Sequence, residues 1–404
     1  MKRASAYMLA GAITGTLLIA PAHASIKAGA SCSKTGLQKI VSGKKYICIK
    51  SGRRNIWNKG VKNVKPATTN INPVAVGDPI GAIGGLTIPT TPLSFIDIDN
   101  LDLDRVYKKS REEITQITDA GNADGIEINY FIGEGVEPFR TKIAKSDLGN
   151  AIQLWSSVFK PSNLSVIWYS SKDVSWAQNI YLEKTGFSNQ GLNSSNCTAL
   201  YCGNASATTG ASNDKYIFEQ GLEFIDQGLW NRSTAAHEYT HLAQASLAKG
   251  VWGRAPLWII EGGAQFYGEA LGYTSFDLSK STRRGIHSQY ARDSQNYVNI
   301  LFPEETLKNL LAKGNPKIIN TLMHSVEFPE DRTASVGLAY LLGSCATEVL
   351  VAAYGHEKVL DYYRAFASEK SFEVNFEKSF GITLENFYFK LAPYFAQISG
   401  ELSN

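Results

Sequence analysis

Acidic residues are absent from the whole N-terminal stretch of this 404-residue chain: the first is Asp78, yet 37 Asp and Glu residues occur in total. Histidine, cysteine and methionine are also scarce, at six, five and three residues. So few cysteines exclude a disulfide-dense scaffold, and their spacing does not make a zinc ribbon. No acidic loop of the calcium-binding kind occurs, so no structural calcium is expected. Beyond the first two dozen residues, no stretch is apolar enough to span a bilayer. What remains is a globular composition, 44% hydrophobic, long enough for one large core or two modest ones with small appendages.

The N-terminus departs from that composition. Lys2 and Arg3 precede an uncharged apolar run from Tyr7 to Ala20, followed by Pro21 and Ala22-His23-Ala24. This is the pattern of a secretory signal, residues 1–24, cleaved after Ala24; the run is too short for a membrane anchor. The mature chain is therefore expected to be secreted or associated with the cell envelope, with no transmembrane segment. Export gives meaning to the cysteines, because disulfides persist outside the reducing cytosol. Cys32 with Cys48 and Cys197 with Cys202 form two local pairs, leaving Cys345 as a buried free thiol in an apolar helix over 336–353.

The mild net charge of +3 conceals two opposite halves. Ser25 to Lys65 carries eleven Lys and Arg and no acid, whereas 27 basic residues face all 37 acids after position 65, about ten negative charges net. Residues 25–63, with Lys44 to Lys50 alternating in strand fashion and Trp57 after Arg53-Arg54, are expected to form a small basic β module pinned by the Cys32/Cys48 pair. Its surface should attract polyanions, and an anionic cell-wall polymer is the expected partner of residues 25–65; no nucleic acid is expected. Residues 64–93, rich in Pro, Thr and Gly, read as a linker, and 94–404 as the main domain.

That domain contains His237-Glu238-Tyr239-Thr240-His241 and, after nineteen intervening residues, Glu261 in Trp258-Ile259-Ile260-Glu261-Gly262-Gly263-Ala264. On a helix, residues four apart share a face, so His237 and His241 can present imidazole nitrogens to one metal ion. Glu238, about 100° further round, can reach a water on that metal without coordinating it, which places it as a general base. A returning helix can supply Glu261 as third ligand and leave the fourth position open, as a catalytic zinc site requires. Glu269 is a rival, but Gly262 and Gly263, which permit close helix approach, favour Glu261. A chance match to the His-Glu-x-x-His pattern is expected only on the order of 0.005 times in such a chain. The pattern points to metal-assisted hydrolysis with one zinc per chain.

These motifs resemble those of the gluzincin metallopeptidases, in particular their compact secreted MA-like members. Trp258 to Ala264, Ala339-Tyr340, Tyr354-Gly355 and Phe380-Gly381 match the pattern of a Trp-x-x-Glu-Gly helix, an Ala-Tyr helix and two aromatic-Gly turns, over roughly residues 125 to 395. The resemblance implies an α+β, zincin-like catalytic domain: a small mixed sheet and an active-site helix, then a helical C-terminal lobe. It implies hydrolysis of peptide bonds in a peptide or protein substrate, by an endopeptidase acting through a zinc-bound water and Glu238. The alternatives are a non-catalytic wall-binding or adhesion protein on the same scaffold, or a hydrolase of cell-wall peptides. The family's Ala-Tyr helix makes Tyr340 the candidate for stabilising the oxyanion, with Tyr267 and Tyr273 as alternatives. Gln265, one turn after Glu261, is a candidate for orienting a ligand histidine, although many relatives carry an acid there. The basic module resembles small Cys-containing modules of secreted proteins from Gram-positive bacteria. The protein is expected to be monomeric.

Periodicity supplies the framework: helix over 98–116, strand over 126–131, helix over 148–159, strand over 166–169, helix over 176–184, and strand over 215–219 just before the metal-binding helix. Residues 193–212, around the second cysteine pair, are expected to wall one side of the cleft. His287, His324 and His356 are expected at the surface or at helix caps.

Overall fold

Alternation in Ile126–Phe131 and the apolar run Val166–Tyr169 suit strands buried on one or both faces, and both become strands of one sheet in the computed structural model of the chain. The structure describes residues 27–62 and 98–403, apart from 36, 42–43, 60, 190, 194–196, 198–201, 210–215, 227–228, 273–275 and 369. The signal segment and the linker therefore lie outside the described residues. The chain divides into two compact units, 1–67 and 68–404.

In the first unit, β1 (Gln38–Val41), β2 (Lys44–Ser51), β3 (Arg54–Trp57) and β4 (Val61–Lys62) form an antiparallel sheet in which β2 pairs with the other three. Cys32 and Cys48 are joined by a disulfide, and Cys48 and Trp57, opposite each other in the ladder, are its buried centre.

The second unit is α+β. It opens with α1 (Leu103–Ala120), β5 (Glu127–Ile132), α2 (Pro138–Trp155), β6 (Asn163–Tyr169), α3 (Val174–Thr185), β7 (Ala205–Thr209) and β8 (Tyr216–Gly221). Asp102 accepts a hydrogen bond from the Arg105 amide and caps α1, Pro138 opens α2, and Gly186 in the left-handed region closes α3. The sheet order is β5-β6-β8-β7: the first three strands are parallel, and β7 lies antiparallel at the edge. Sequence reading missed β7, because Ala-Ser-Ala-Thr-Thr has little apolar alternation. One sheet face buries Val166, Trp168 and Phe218 in the main core, and the other buries Ile167, Tyr169 and Ile217 under α3.

The rest is helical: α4 (Leu229–Leu247), a π-helical turn (Trp258–Gly262) running into α5 (Gly263–Leu271), α6 (Phe276–Asp293), α7 (Gln295–Leu301), α8 (Leu307–Ala312), α9 (Pro316–Ser325), α10 (Arg332–Tyr354), α11 (His356–Ala365), α12 (Phe372–Phe380), α13 (Leu384–Lys390) and α14 (Ala392–Ser399). Contrary to the expectation that no later stretch is apolar enough to span a bilayer, helix α10 is apolar and long enough to do so, but it is mostly buried inside this unit as a core helix. Asp331 caps its start, and Gly355, at φ 88°, ends it; Gly381, at φ 69°, ends α12. Both aromatic-Gly pairs are thus helix stops, where a residue with a Cβ would be strained.

The crossing of α10 with the π-helical turn sets the geometry of the site. A Cβ on Gly262 would fall 2.3 Å from Gly343 Cα and 2.6 Å from Ala339 O, and one on Gly343 would fall 2.1 Å from Trp258 O. Only glycine at both positions permits this approach.

Candidate metal centre

Helix α4 has the sequence needed to carry two ligands on one face. Ala235, Ala236, Leu242 and Ala243 are buried against the core, and Trp155 of α2 donates its indole N–H to Thr240 at 3.0 Å. Asp147 of α2 receives a two-pronged bond from Arg232, at 2.7 and 2.6 Å, which fixes the start of the helix. His237 is buried and His241 half-buried, and their Nε2 atoms lie 3.1 Å apart.

The π-helical turn brings Glu261 to the same point. Its Oε2 lies 3.5 Å from His237 Nε2 and 3.4 Å from His241 Nε2. Two imidazole nitrogens and one carboxylate oxygen thus form a nearly equilateral triangle. In a tetrahedral site with metal–ligand distances of about 2.0–2.1 Å, donor atoms stand about 3.3–3.4 Å apart, so this triangle fits a small divalent cation. Among the described residues, His237, His241 and Glu261 form a candidate metal-binding group. Glu269, the rival ligand, is 1% exposed and faces His287 and Gln265 instead.

Both ends of Glu261 are held. Arg332, the first residue of α10, donates to its Oε1 at 2.6 Å, leaving Oε2 toward the histidines. Burial opposes the Glu261 charge, but the two imidazoles hold its carboxyl well below the usual carboxylate range. Burial likewise opposes a charge on His241, yet Glu261 outweighs it and raises that imidazole's pKa to about 9. Glu261 and His241 therefore attract each other strongly, which draws the carboxylate toward the histidine pair.

A residue that sequence reading did not single out joins the two ligand-bearing segments. The fully buried Gln244, three residues after His241, places its Oε1 3.0 Å from His241 Nδ1 and accepts from Trp252 Nε1 at 3.1 Å. Its amide nitrogen donates to the carbonyls of Ile259 and Ile260, both at 3.2 Å, immediately before Glu261. Because the indole can only donate, Oε1 is an acceptor there, and His241 must donate from Nδ1. In the neutral imidazole the lone pair is then on Nε2, the nitrogen that faces the triangle. The available signal was a polar residue directly after the apolar pair Leu242-Ala243 of the helix.

Gln265, expected to orient a ligand histidine, bonds Glu269 at 3.0 Å and accepts from Tyr290 at 3.1 Å. It reaches the site indirectly: Tyr290 stacks on Tyr340, 5.0 Å between centroids, and Tyr340 meets the His237 ring edge-on at 5.5 Å. Burial, followed by Glu261 and Tyr290, pushes the Tyr340 hydroxyl well above its ordinary value, so it stays a proton donor. Tyr267 is fully buried and bonded to His356 Nδ1 at 2.9 Å, while Tyr273 lies outside the described residues. Glu238 is half-buried on the helix carrying both histidines, and its charge is felt at His241 and Tyr340.

The other histidines need a correction. His324 is partly exposed, as expected, but His287 and His356 are 1% and 2% exposed. His287 lies against Glu269 at 3.3 Å and Ser344 at 3.1 Å, and His356 receives the Tyr267 hydroxyl; such partners permit burial.

Beside α4, the edge strand is fastened by a buried carboxylate. Glu219 of β8 accepts from Asn189 at 2.9 Å, Asn204 at 2.8 Å and Ser206 at 2.7 Å, and from the Tyr169 hydroxyl. A disulfide joins Cys197 to Cys202 just before β7. Most of the rest of the loop over 193–212 lies outside the described residues. Cys345 is a buried free thiol on α10. Comparison with family models, with curated proteins and with solved structures finds no match for this chain, so the reading rests on the geometry of the centre.

Proposed function

We propose that the chain is an exported zinc-dependent metallopeptidase of the gluzincin type, cleaving peptide bonds within peptides or proteins. The convergence of His237 Nε2, His241 Nε2 and Glu261 Oε2, with Glu238 on the helix between the two histidines, carries this reading. Two imidazoles and one carboxylate are a donor set that suits zinc and leaves a coordination position open. When bound, zinc supplies an acidified water and a Lewis acid for the scissile carbonyl.

The chain's own residues supply the remaining chemistry. The Glu238 carboxylate takes the proton of the attacking water and passes it to the leaving amide nitrogen. Tyr340 presents a protonated phenol beside His237, suited to donate a hydrogen bond to the carbonyl oxygen as it gains negative charge. Gln244 and Arg332 orient His241 and Glu261. The outer edge of β7, the last strand of its sheet and next to α4, suits an extended peptide added as a further strand. Two disulfides favour an exported protein.

The test is metal analysis and turnover on a quenched casein and peptide library, for wild type and Glu238→Gln. One zinc per chain is expected in both, with turnover in wild type falling at least a hundredfold in the variant and stopped by chelator. Undiminished cleavage by Glu238→Gln would remove Glu238 from the chemistry. A zinc-loaded wild type that cleaves nothing in the library would favour a binding protein on this scaffold.

A further inference from the structure

His237, His241 and Glu261 all belong to the second unit, and the first unit is marked by its charge. We propose that this unit is a docking surface for a linear phosphodiester polymer that carries no bases, of the poly(glycerol phosphate) type.

The charges form a line. Lys44 and Lys50 occupy the same face of β2 by the two-residue alternation, about 20 Å apart along the strand. Lys39 on β1 stands opposite Tyr46, diagonal to Lys44 on the same face. Arg53 follows Lys50 in the hairpin turn that Gly52, at φ 60°, permits, while Arg54, opposite Ser51, adds a charge on the other face. Lys39, Lys44, Lys50, Arg53 and Arg54 are all exposed. Like charges on neighbouring strands repel, and this part of the sequence holds no acid to relieve them. A small anion would need converging donors, whereas charges spread along a strand match a polymer with a charge at every repeat.

The aromatic residues decide which polymer. Surfaces for single-stranded nucleic acid present exposed rings on which bases stack. Residues 25–65 contain only Tyr46 and Trp57; Trp57 is 6% exposed against the disulfide, and Tyr46 is half-buried. The surface therefore meets phosphates and has little with which to hold bases. The remainder of the chain, about ten charges negative, repels the same polymer, which confines binding to this unit.

The experiment titrates the full chain with poly(glycerol phosphate), poly(dT) and polyglutamate of matched charge, from 25 to 200 mM salt. Poly(glycerol phosphate) is expected to bind at least tenfold more tightly than either competitor, with affinity falling steeply with salt. A Lys39→Gln, Lys44→Gln, Lys50→Gln triple variant should lose at least thirtyfold and show a salt slope shallower by about 2. The corresponding triple Arg variant should retain binding, which separates charge from folding. Equal affinity for poly(dT) would make this a nucleic-acid surface, and equal affinity for polyglutamate a surface for charge alone. Either result, absence of salt-dependent binding, or unchanged binding by the Gln variant overturns the proposal. Zinc content, read in the same samples, is independent of all these outcomes and tests the metal reading separately.

Discussion

Replacing Gln244 with leucine, which has nearly the same volume, removes a side chain that bonds both ligand-bearing segments. Two donors lose their acceptor, His241 Nδ1 and Trp252 Nε1, and the carbonyls of Ile259 and Ile260 lose a shared donor. A buried donor left without a partner costs about 1–3 kcal/mol, so the two together imply a loss of about 2–6 kcal/mol before relaxation. Part of that loss falls on the metal, because His241 can then rotate or change tautomer. Loss of such an orienting partner typically weakens metal binding 10–100-fold, about 1.4–2.7 kcal/mol. Competition with a chromophoric chelator measures the zinc affinity, and urea unfolding of the metal-free chain measures stability. Gln244→Glu keeps the acceptor for His241 and Trp252 but sets a carboxylate against the two carbonyls. It should therefore hold zinc better than the leucine variant without restoring full stability. If Gln244→Leu loses stability while its zinc affinity stays within twofold of wild type, Gln244 is a packing residue and the orienting argument is wrong.

Gly262→Ala should destabilise the chain by at least about 1–3 kcal/mol and weaken zinc binding too, because the new Cβ would meet Gly343 and Ala339 beside Glu261; an unchanged melting temperature would show that the crossing is slack. Burial, aided by Arg364, lowers the pKa of His356 from 6.5 to about 3. The native state therefore excludes a proton that the unfolded state takes up below pH 6.5, so this stabilisation is present above 6.5 and is lost as pH falls. At pH 4.5 the loss relative to pH 7 should be about 2–3 kcal/mol greater in wild type than in His356→Gln, read by urea unfolding. A parallel pH dependence of the two proteins would contradict the burial of a neutral His356.

What could be read beforehand was whatever depends on local spacing. The ligand pair follows from a four-residue interval on a helix, and both disulfides join cysteines close in sequence. Strand β5 was visible from its alternation, and β6 and β8 from short apolar runs. What depends on distant partners stayed hidden. Arg332 approaches Glu261 across 71 positions, and its sequence surroundings carry no sign of it. Arg283 is only 1% exposed yet bonds Glu348 and Glu401, both at 2.7 Å; charged residues at helical spacing ordinarily read as a solvated face. His287 and His356 were misplaced at the surface for the same reason, since their partners come from other helices.

The wide turn at Trp258–Gly262 has a consequence for how this centre tolerates insertions and deletions. In an ordinary helix each residue advances the side-chain direction by about 100°. Glu261 sits inside a turn closed one residue later than in the helices flanking it. The direction of the third ligand is therefore set by a count of residues as much as by its identity. Loss of a single residue between Leu257 and Glu261 would let the segment wind as one regular helix and swing the carboxylate away from the histidines, with every ligand still present in the sequence. A scan for the His-Glu-x-x-His motif and its downstream glutamate would score such a chain as intact, although its metal centre had been taken apart.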